Sequence, residues 1–389
     1  MKRTVFILYG LILLGLSFFS YAFIDPNLIY YKNIYSGFAF QNKTLVTILY
    51  LCFIALLFVS YLFIIKSVNR KRFNSKDVRF LIGITCVGLF FSYPAMLSYD
   101  IFNYLTTAKV LFFHHENPYL IMPIEFLGDP FLLFTHAANK LALYGPVWIL
   151  FSGVPHFLGA GNFIVTLMSF KLVALIFYVL TVLLIWKLAK NLYVVSLFAF
   201  NPLIILESLL SSHNDIIMVF LVLLSFFLMQ NKKYLLALLI FGASILIKYA
   251  TLILLPIFIF MLWKNYKGKD INWKNIYYFS FLSMLIIFLL SPLREEMYPW
   301  YAVWFLPFIF LIPEKKNILY LSIAFSFGLL LRYAPFMYSG THFGITPLLK
   351  IVLASLPVVI VGFSILSSRP KWRNLLQLGW RKIPRLRSE

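Results

Sequence analysis

Along the chain, apolar runs of roughly 15 to 22 residues alternate with short polar breaks, a spacing suited to a hydrocarbon core about 30 Å thick. About twelve runs are read, over 5–23, 44–65, 80–97, 162–186, 192–210, 215–230, 233–247, 250–263, 276–292, 300–312, 317–335 and 345–366. The pattern predicts an all-α fold, a polytopic transmembrane helical bundle with an outer-face loop carrying interfacial helices. One stretch breaks the alternation. "YGPVWILFSGVPHFLG", from Tyr144, is apolar but interrupted by Pro146, Gly153 and Pro155, and a crossing there would invert every later loop. It is therefore expected to be re-entrant or interfacial, as irregular backbone is tolerated where protein surrounds it.

Composition reinforces this picture. Hydrophobic residues make up 62% of the chain and charged ones only 12%, half the share of about a quarter found in soluble domains. The net charge of +21 collects in the breaks. Lys66, Arg70, Lys71, Arg72, Lys76 and Arg79 face a single acid, Asp77, and the tail carries Arg369, Lys371, Arg373, Arg381, Lys382, Arg385 and Arg387. The positive-inside rule makes both cytoplasmic, together with Lys2, Arg3, "KNYKGKDINWKN" after Trp263 and "EKK" at 314–316.

The expected location is the plasma membrane, with both termini cytoplasmic and the loop 98–161 on the extracytoplasmic face. Membrane topology and anionic lipid heads account for the basic charge, so no nucleic-acid partner is expected. Cys52 and Cys86 lie within expected spans and imply neither a disulfide framework nor a zinc site. The N-terminal "MKRTVFILYGLILLGLSFFSYA" reads as an uncleaved anchor rather than a signal peptide. Three regions follow: 1–79, a transmembrane hairpin with its basic loop; 80–366, a catalytic module; and 367–389, a basic tail. No inverted repeat joins the two halves, which weakens a transporter reading.

Candidate chemistry gathers where polar residues interrupt the apolar pattern on the outer side. In "SYDIFNYLTTAKVLFFHHENPY", Asp100, Asn103, Tyr104 and Thr107 share one helical face while Ile101, Leu105, Ala108 and Phe112 form an apolar stripe expected to face lipid. Asp100 reads either as a helix N-cap or as a general base. "FNPLIILESLLSSHNDIIMVF" supplies Glu207 inside a span and His213, Asn214 and Asp215 at the next turn, where Asn214 or Asp215 equally reads as a cap.

Lys248, Arg294 and Arg332 fall near outer span ends and are expected to form a phosphate site; singly, each reads as snorkelling or as a partner of Glu207, Glu295 or Glu296. Lys171, deep in its span, is expected to pair with Glu207. Trp300, Tyr301 and Trp304 read as interface-belt aromatics, or as a sugar platform. One base, several cations and a lipid-facing groove suit transfer from a lipid-phosphate donor, whose leaving phosphate needs fixed cations more than an acid. Asp-x-Asp, Walker-A, dinucleotide and His-Glu-x-x-His motifs are absent from the sequence; no cofactor or metal is indicated.

The ordered set "SYDIFNY", "NPY" (Asn117 to Tyr119), "YGPVW" (Tyr144 to Trp148), "FNPLIILE", "HND", "LIKYATLILLP" and "YPWYAVWFLP" resembles the polyprenol-phosphate-mannose-dependent alpha-(1,6)-mannosyltransferases of bacterial envelopes, within the GT-C superfamily. The resemblance implies a GT-C-like bundle and an inverting glycosyltransferase that moves a sugar, mannose, from a polyprenyl-phosphate donor to a glycan or glycolipid hydroxyl outside the cell.

It implies Asp100 as catalytic base. Asn103, Tyr104, Asn117, Tyr119, Tyr144, His213, Asn214 and Asp215 would position substrate, and Lys248, Arg294 and Arg332 would hold donor phosphate. The base here follows the third span, where many superfamily members carry it after the first, so the N-terminal hairpin reads as an addition. His114 and His115 match nothing in the pattern. The alternatives are a transporter or flippase for a lipid-linked or anionic substrate, and an inactive relative serving as a subunit.

Overall fold

A computed structural model describes residues 2–24, 38–293 and 296–367. Arg294 and the basic tail beyond 367, both singled out above, lie outside the described residues. The fold is all-α: α1 (Lys2–Ser20), α2 (Lys43–Asn69), α3 (Ser75–Phe90), α4 (Asp100–Phe112), α5 (Pro146–Phe151), α6 (Gly153–Leu158), α7 (Phe163–Ala189), α8 (Leu192–Ala199), α9 (Pro202–Leu210), α10 (Asp215–Gln230), α11 (Tyr234–Ile245), α12 (Tyr249–Tyr266), α13 (Trp273–Leu290), α14 (Leu306–Phe310), α15 (Lys316–Leu331), α16 (Tyr333–Ser339) and α17 (Thr346–Ser367).

Seven helices among the described residues are long and apolar enough to cross a membrane, or eight if the bent pair α8 and α9 counts as one span. This corrects the reading of about twelve full spans. The runs at 80–97, 215–230 and 233–247 fold as the shorter helices α3, α10 and α11, and 300–312 folds as a 3-10 turn, Pro299–Trp304, followed by α14. Proline explains part of this. Pro202 and Pro307 start helices where a continuous one would need their missing N–H, and α8 and α9 meet at 56°, with the Asn201 side chain accepting from the amides of Leu203 and Ile204.

Helix direction alternates along the chain, so two ends of the bundle can be told apart. At one end Lys2 meets Asp77 at 2.7 Å, Tyr234 meets Asn265, and Lys274 meets Glu314. At the other, Tyr21 donates to the Phe91 carbonyl and Lys43 to that of Ser339. The N-terminal hairpin is tied into the rest by buried tyrosines: Tyr9 meets Thr85, Tyr50 donates to the Leu330 carbonyl and Tyr61 to that of Leu197. The segment from Tyr144 is not among the helices long enough to cross. It folds as α5 and α6, held edge-on to the turn before Lys248 by the amides of Gly145 and Val147, which donate to the carbonyls of Ile247 and Leu246. A Cβ at Gly145 would strike the Leu246 carbonyl.

Lys171 does not pair with Glu207. Its ammonium donates to the carbonyls of Ser92, Leu209 and Leu210 and to the Ser92 hydroxyl. Helix ends leave carbonyls without intrahelical partners, and a buried cation meets those at the end of α9.

Candidate active site

The polar residues picked out in the sequence gather at the second end of the bundle. α4 starts as expected, but Tyr99 is its N-cap and Asp100 stands in its first turn. Its apolar stripe does not face lipid: Ile101, Leu105 and Ala108 are fully buried. Phe112, at the end of that stripe, packs on His156 and Phe157 of α6, and on the neighbouring face Phe102 packs with Phe134 and Phe163. The helix is enclosed, which fixes the direction in which Asp100 points.

Asp100 keeps 26% of its side chain exposed, whereas the residues beyond it are sealed. Its carboxylate lies 3.6 Å from His213 Nδ1, and His213 Nε2 lies 3.4 Å from Glu207. Glu207 accepts from the Tyr333 hydroxyl at 2.9 Å. An imidazole thus stands between two carboxylates drawn from different segments, and Trp300 stacks on it at 4.3 Å with Tyr298 stacked behind.

Burial, with the Lys248 charge adding to it, holds the His213 imidazole well below its ordinary value of 6.5. The ring is neutral in the folded protein, whereas in the unfolded chain it would take up a proton below about 6.5. The His213 contribution is therefore present above that value and lost as pH falls. Thermal midpoints in detergent should drop between about pH 7 and 5, and His213→Asn should flatten that slope; an unchanged slope would exclude His213 as its source.

Asp215, fully buried, takes Lys248 on both oxygens at 2.8 and 2.9 Å and also accepts from Trp304 Nε1. The Lys248 ammonium lies 4.9 Å from the Tyr301 ring. Trp300 and Trp304 are buried in this cluster, so they are not interface-belt residues. Asn214 begins α10 without a side-chain cap; its Oδ1 instead accepts from the Tyr104 hydroxyl, 3.3 Å away.

Tyr104 packs edge-to-face on Tyr144 and Trp148, and burial keeps both tyrosines well above the usual phenol range and neutral. Asn103 Oδ1, the Tyr144 hydroxyl and Asn214 Nδ2 are buried without a hydrogen-bond partner. Such atoms are costly unless something completes them.

Not every expected residue joins this group. The Asn117 side chain accepts from the Tyr119 amide in a local turn, and the Tyr119 hydroxyl anchors on the Tyr144 carbonyl. His114 stacks on Phe126 and faces Asp129, which also holds Lys109; His115 is exposed. Arg332 is held on Glu296, one of the partners read for it singly, while Lys248 is held on Asp215. Among the described residues no three His, Cys, Asp or Glu side chains are gathered as a metal ion would need.

Sequence reasoning missed Tyr333, which donates to Glu207, and Lys350, which shares Glu296 with Arg332; the pairing of Arg332 with Glu296 was among its readings. Lys350 carried a usable signal, as an isolated ionisable residue in an apolar helix. Residues 8–264 match the family model described as alpha-(1->6)-mannopyranosyltransferase, N-terminal domain, a stretch that includes the N-terminal hairpin. No curated protein and no solved structure matches the chain.

Proposed function

Because the chain belongs to the alpha-(1->6)-mannopyranosyltransferase family, we propose that it transfers mannose from a polyprenyl-phosphate donor to a glycan or glycolipid hydroxyl, with inversion, on the extracytoplasmic face of the plasma membrane. Membership itself establishes a mannosyltransferase family; donor, stereochemistry and topology are the proposal. The observation that carries it is the meeting of Asp100, His213 and Glu207, with the first carboxylate open and the other two groups sealed behind it.

In this reading Asp100 takes the acceptor hydroxyl's proton as that oxygen attacks the anomeric carbon from the face opposite the phosphate. An α product formed with inversion requires a β-linked donor. Neutral His213 has a single N–H, and turned from Nδ1 towards Asp100 it steadies the base. The orphaned polar atoms of Asn103, Tyr144 and Asn214 are suited to sugar hydroxyls. Asp215 and Lys248 neutralise each other, so their part is to brace the loop that carries His213.

The basic residues support the orientation. Lys2, Arg3, Arg70, Lys71, Arg72, Lys76, Lys190, Lys232, Lys233, Lys267, Lys269 and Lys316 border helix ends opposite the site, as the positive-inside rule would have it for an outward-facing active site.

The test is transfer by purified protein in liposomes, with labelled mannose supplied either on polyprenyl phosphate or on a soluble nucleotide, and a mannose-terminated glycolipid as acceptor. Label should reach the acceptor from the lipid donor alone, and α-mannosidase should release it. Transfer from the nucleotide only would overturn the donor assignment. Passage of labelled lipid across the bilayer without transfer would favour a flippase.

A further inference from the structure

At the same end of the bundle as Asp100, but outside the cluster around it, a cavity of about 650 Å³ opens between α13, α15 and α17. Its head is polar. Arg332 and Lys350 both donate to one oxygen of Glu296, at 2.7 and 2.8 Å, and His342 Nδ1 lies 3.3 Å from the lysine. The remainder is apolar, walled by Leu289, Phe325 and Ile351 and floored by Ala354. Ala354 sits close because Gly328 has no Cβ; one there would meet the Ala354 carbonyl. Leu289 and Ile351 on its wall, and Leu348 beyond it, present exposed apolar surface.

The burial of the three charges is unequal. The two cations retain only 6% and 10% of side-chain exposure, while Glu296 retains 40%. The cations are therefore fixed parts of the wall, and the carboxylate is the partner facing the open side. One carboxylate oxygen shared by a guanidinium and an ammonium is the arrangement a phosphate oxygen would take.

We propose that this cavity is the lipid-phosphate subsite: Arg332 and Lys350 hold the phosphate, the apolar limb takes the adjoining isoprene units, and Glu296 is an internal stand-in that the ligand displaces. This rests on the polyprenyl-phosphate reading above. A chain of contacts runs from this polar head towards the base: Arg332 adjoins Tyr333, whose hydroxyl donates to Glu207, which faces His213 and so Asp100. As the acceptor oxygen bonds to the anomeric carbon, the bond from that carbon to the phosphate oxygen breaks. The electron pair stays on the phosphate and the acceptor proton goes to Asp100. The phosphate gains one unit of negative charge in this step, and two buried cations freed from Glu296 stabilise it.

The experiment is equilibrium binding of unglycosylated polyprenyl phosphate to the purified full chain in detergent. Phosphatidylglycerol and inorganic phosphate form parallel arms, and Asp100→Asn is a control that should bind as wild type does. Glu296→Gln should tighten binding about 5- to 10-fold and Lys350→Met should weaken it by about 10-fold or more, with Lys350→Arg restoring it. Ser355→Trp, which fills the apolar limb, should weaken polyprenyl phosphate and leave inorganic phosphate unchanged.

Weaker or unchanged binding by Glu296→Gln, or no effect of Lys350→Met, would overturn the proposal. Equal competition by phosphatidylglycerol would also overturn it and make the cavity a site for bulk lipid. Since the probe carries no sugar, these outcomes are independent of transfer. Altered binding in a protein that transfers no mannose leaves the subsite standing and removes the enzyme reading. Normal transfer with an unchanged donor KM in Lys350→Met removes the subsite alone.

Discussion

Asp100→Asn should reduce mannosyl transfer by about 100- to 10,000-fold, the range general-base removal produces, with binding of the lipid donor retained. Asparagine keeps the shape of the side chain and an acceptor oxygen. The first turn of α4, with the Asp100 amide donating to Ser98 Oγ, is preserved. What is lost is the ability to take a proton. Asp100 is the carboxylate for this role because it is the one with open side-chain surface; Glu207 is sealed behind His213, and Asp215 is neutralised by Lys248. Glu207→Gln should accordingly cost less, since Tyr333 and His213 retain a polar partner. A loss under about 10-fold in Asp100→Asn would remove this residue from the chemistry.

Lys248→Met should destabilise the protein by about 3–5 kcal/mol, the cost of leaving a buried charge without its partner. The methionine fills the lysine stem's volume but leaves the fully buried Asp215 with the Trp304 N–H as its remaining partner. Lys248 also ends the turn whose carbonyls bind Gly145 and Val147, so loosening it releases the segment packed on Tyr104. The double variant Lys248→Met, Asp215→Asn should recover most of the loss, because the uncompensated charge is gone. Unfolding in detergent micelles measures both. A single variant within about 1 kcal/mol of wild type, or a double variant less stable than the single, would show that the pair is not a buried ion pair in the sense used here.

Much of this was legible in the sequence because hydrophobic periodicity and proline act locally. The bounds of α2, α7 and α17 follow from apolar runs, and the helix from Asp100 from the spacing of Asp100, Asn103, Tyr104 and Thr107. The meeting of Asp100 with His213 was also foreseeable, since both clusters were expected at the same ends of their spans.

What stayed hidden depends on distant elements. The apolar stripe of α4 looks the same whether lipid or the protein's own Phe157 meets it. Lys171 was matched to the nearest acid because sequence does not reveal that the end of α9 and the turn at Ser92 leave carbonyls pointing at it. Trp300 carries the aromatic signature of an interface residue and stacks on His213 instead. Arg332 was grouped with Lys248 by depth; its pairing with Glu296 was read as the alternative, while the sharing of that carboxylate with Lys350 depends on a helix distant in sequence.

The unequal helices have a further consequence, for the lipid around them. α2 has 27 residues, but α11 has 12, about 18 Å at about 1.5 Å per residue against a hydrocarbon thickness of about 30 Å. α11 is not hidden in the interior: Leu235 and Leu239 are exposed along it. A bilayer of uniform thickness would match α2 and overreach α11, so local thinning or an interfacial seat for α11 is the expected accommodation. Transfer compared across bilayers of differing acyl-chain length is the corresponding measurement, with faster transfer in short-chain bilayers as the expected result.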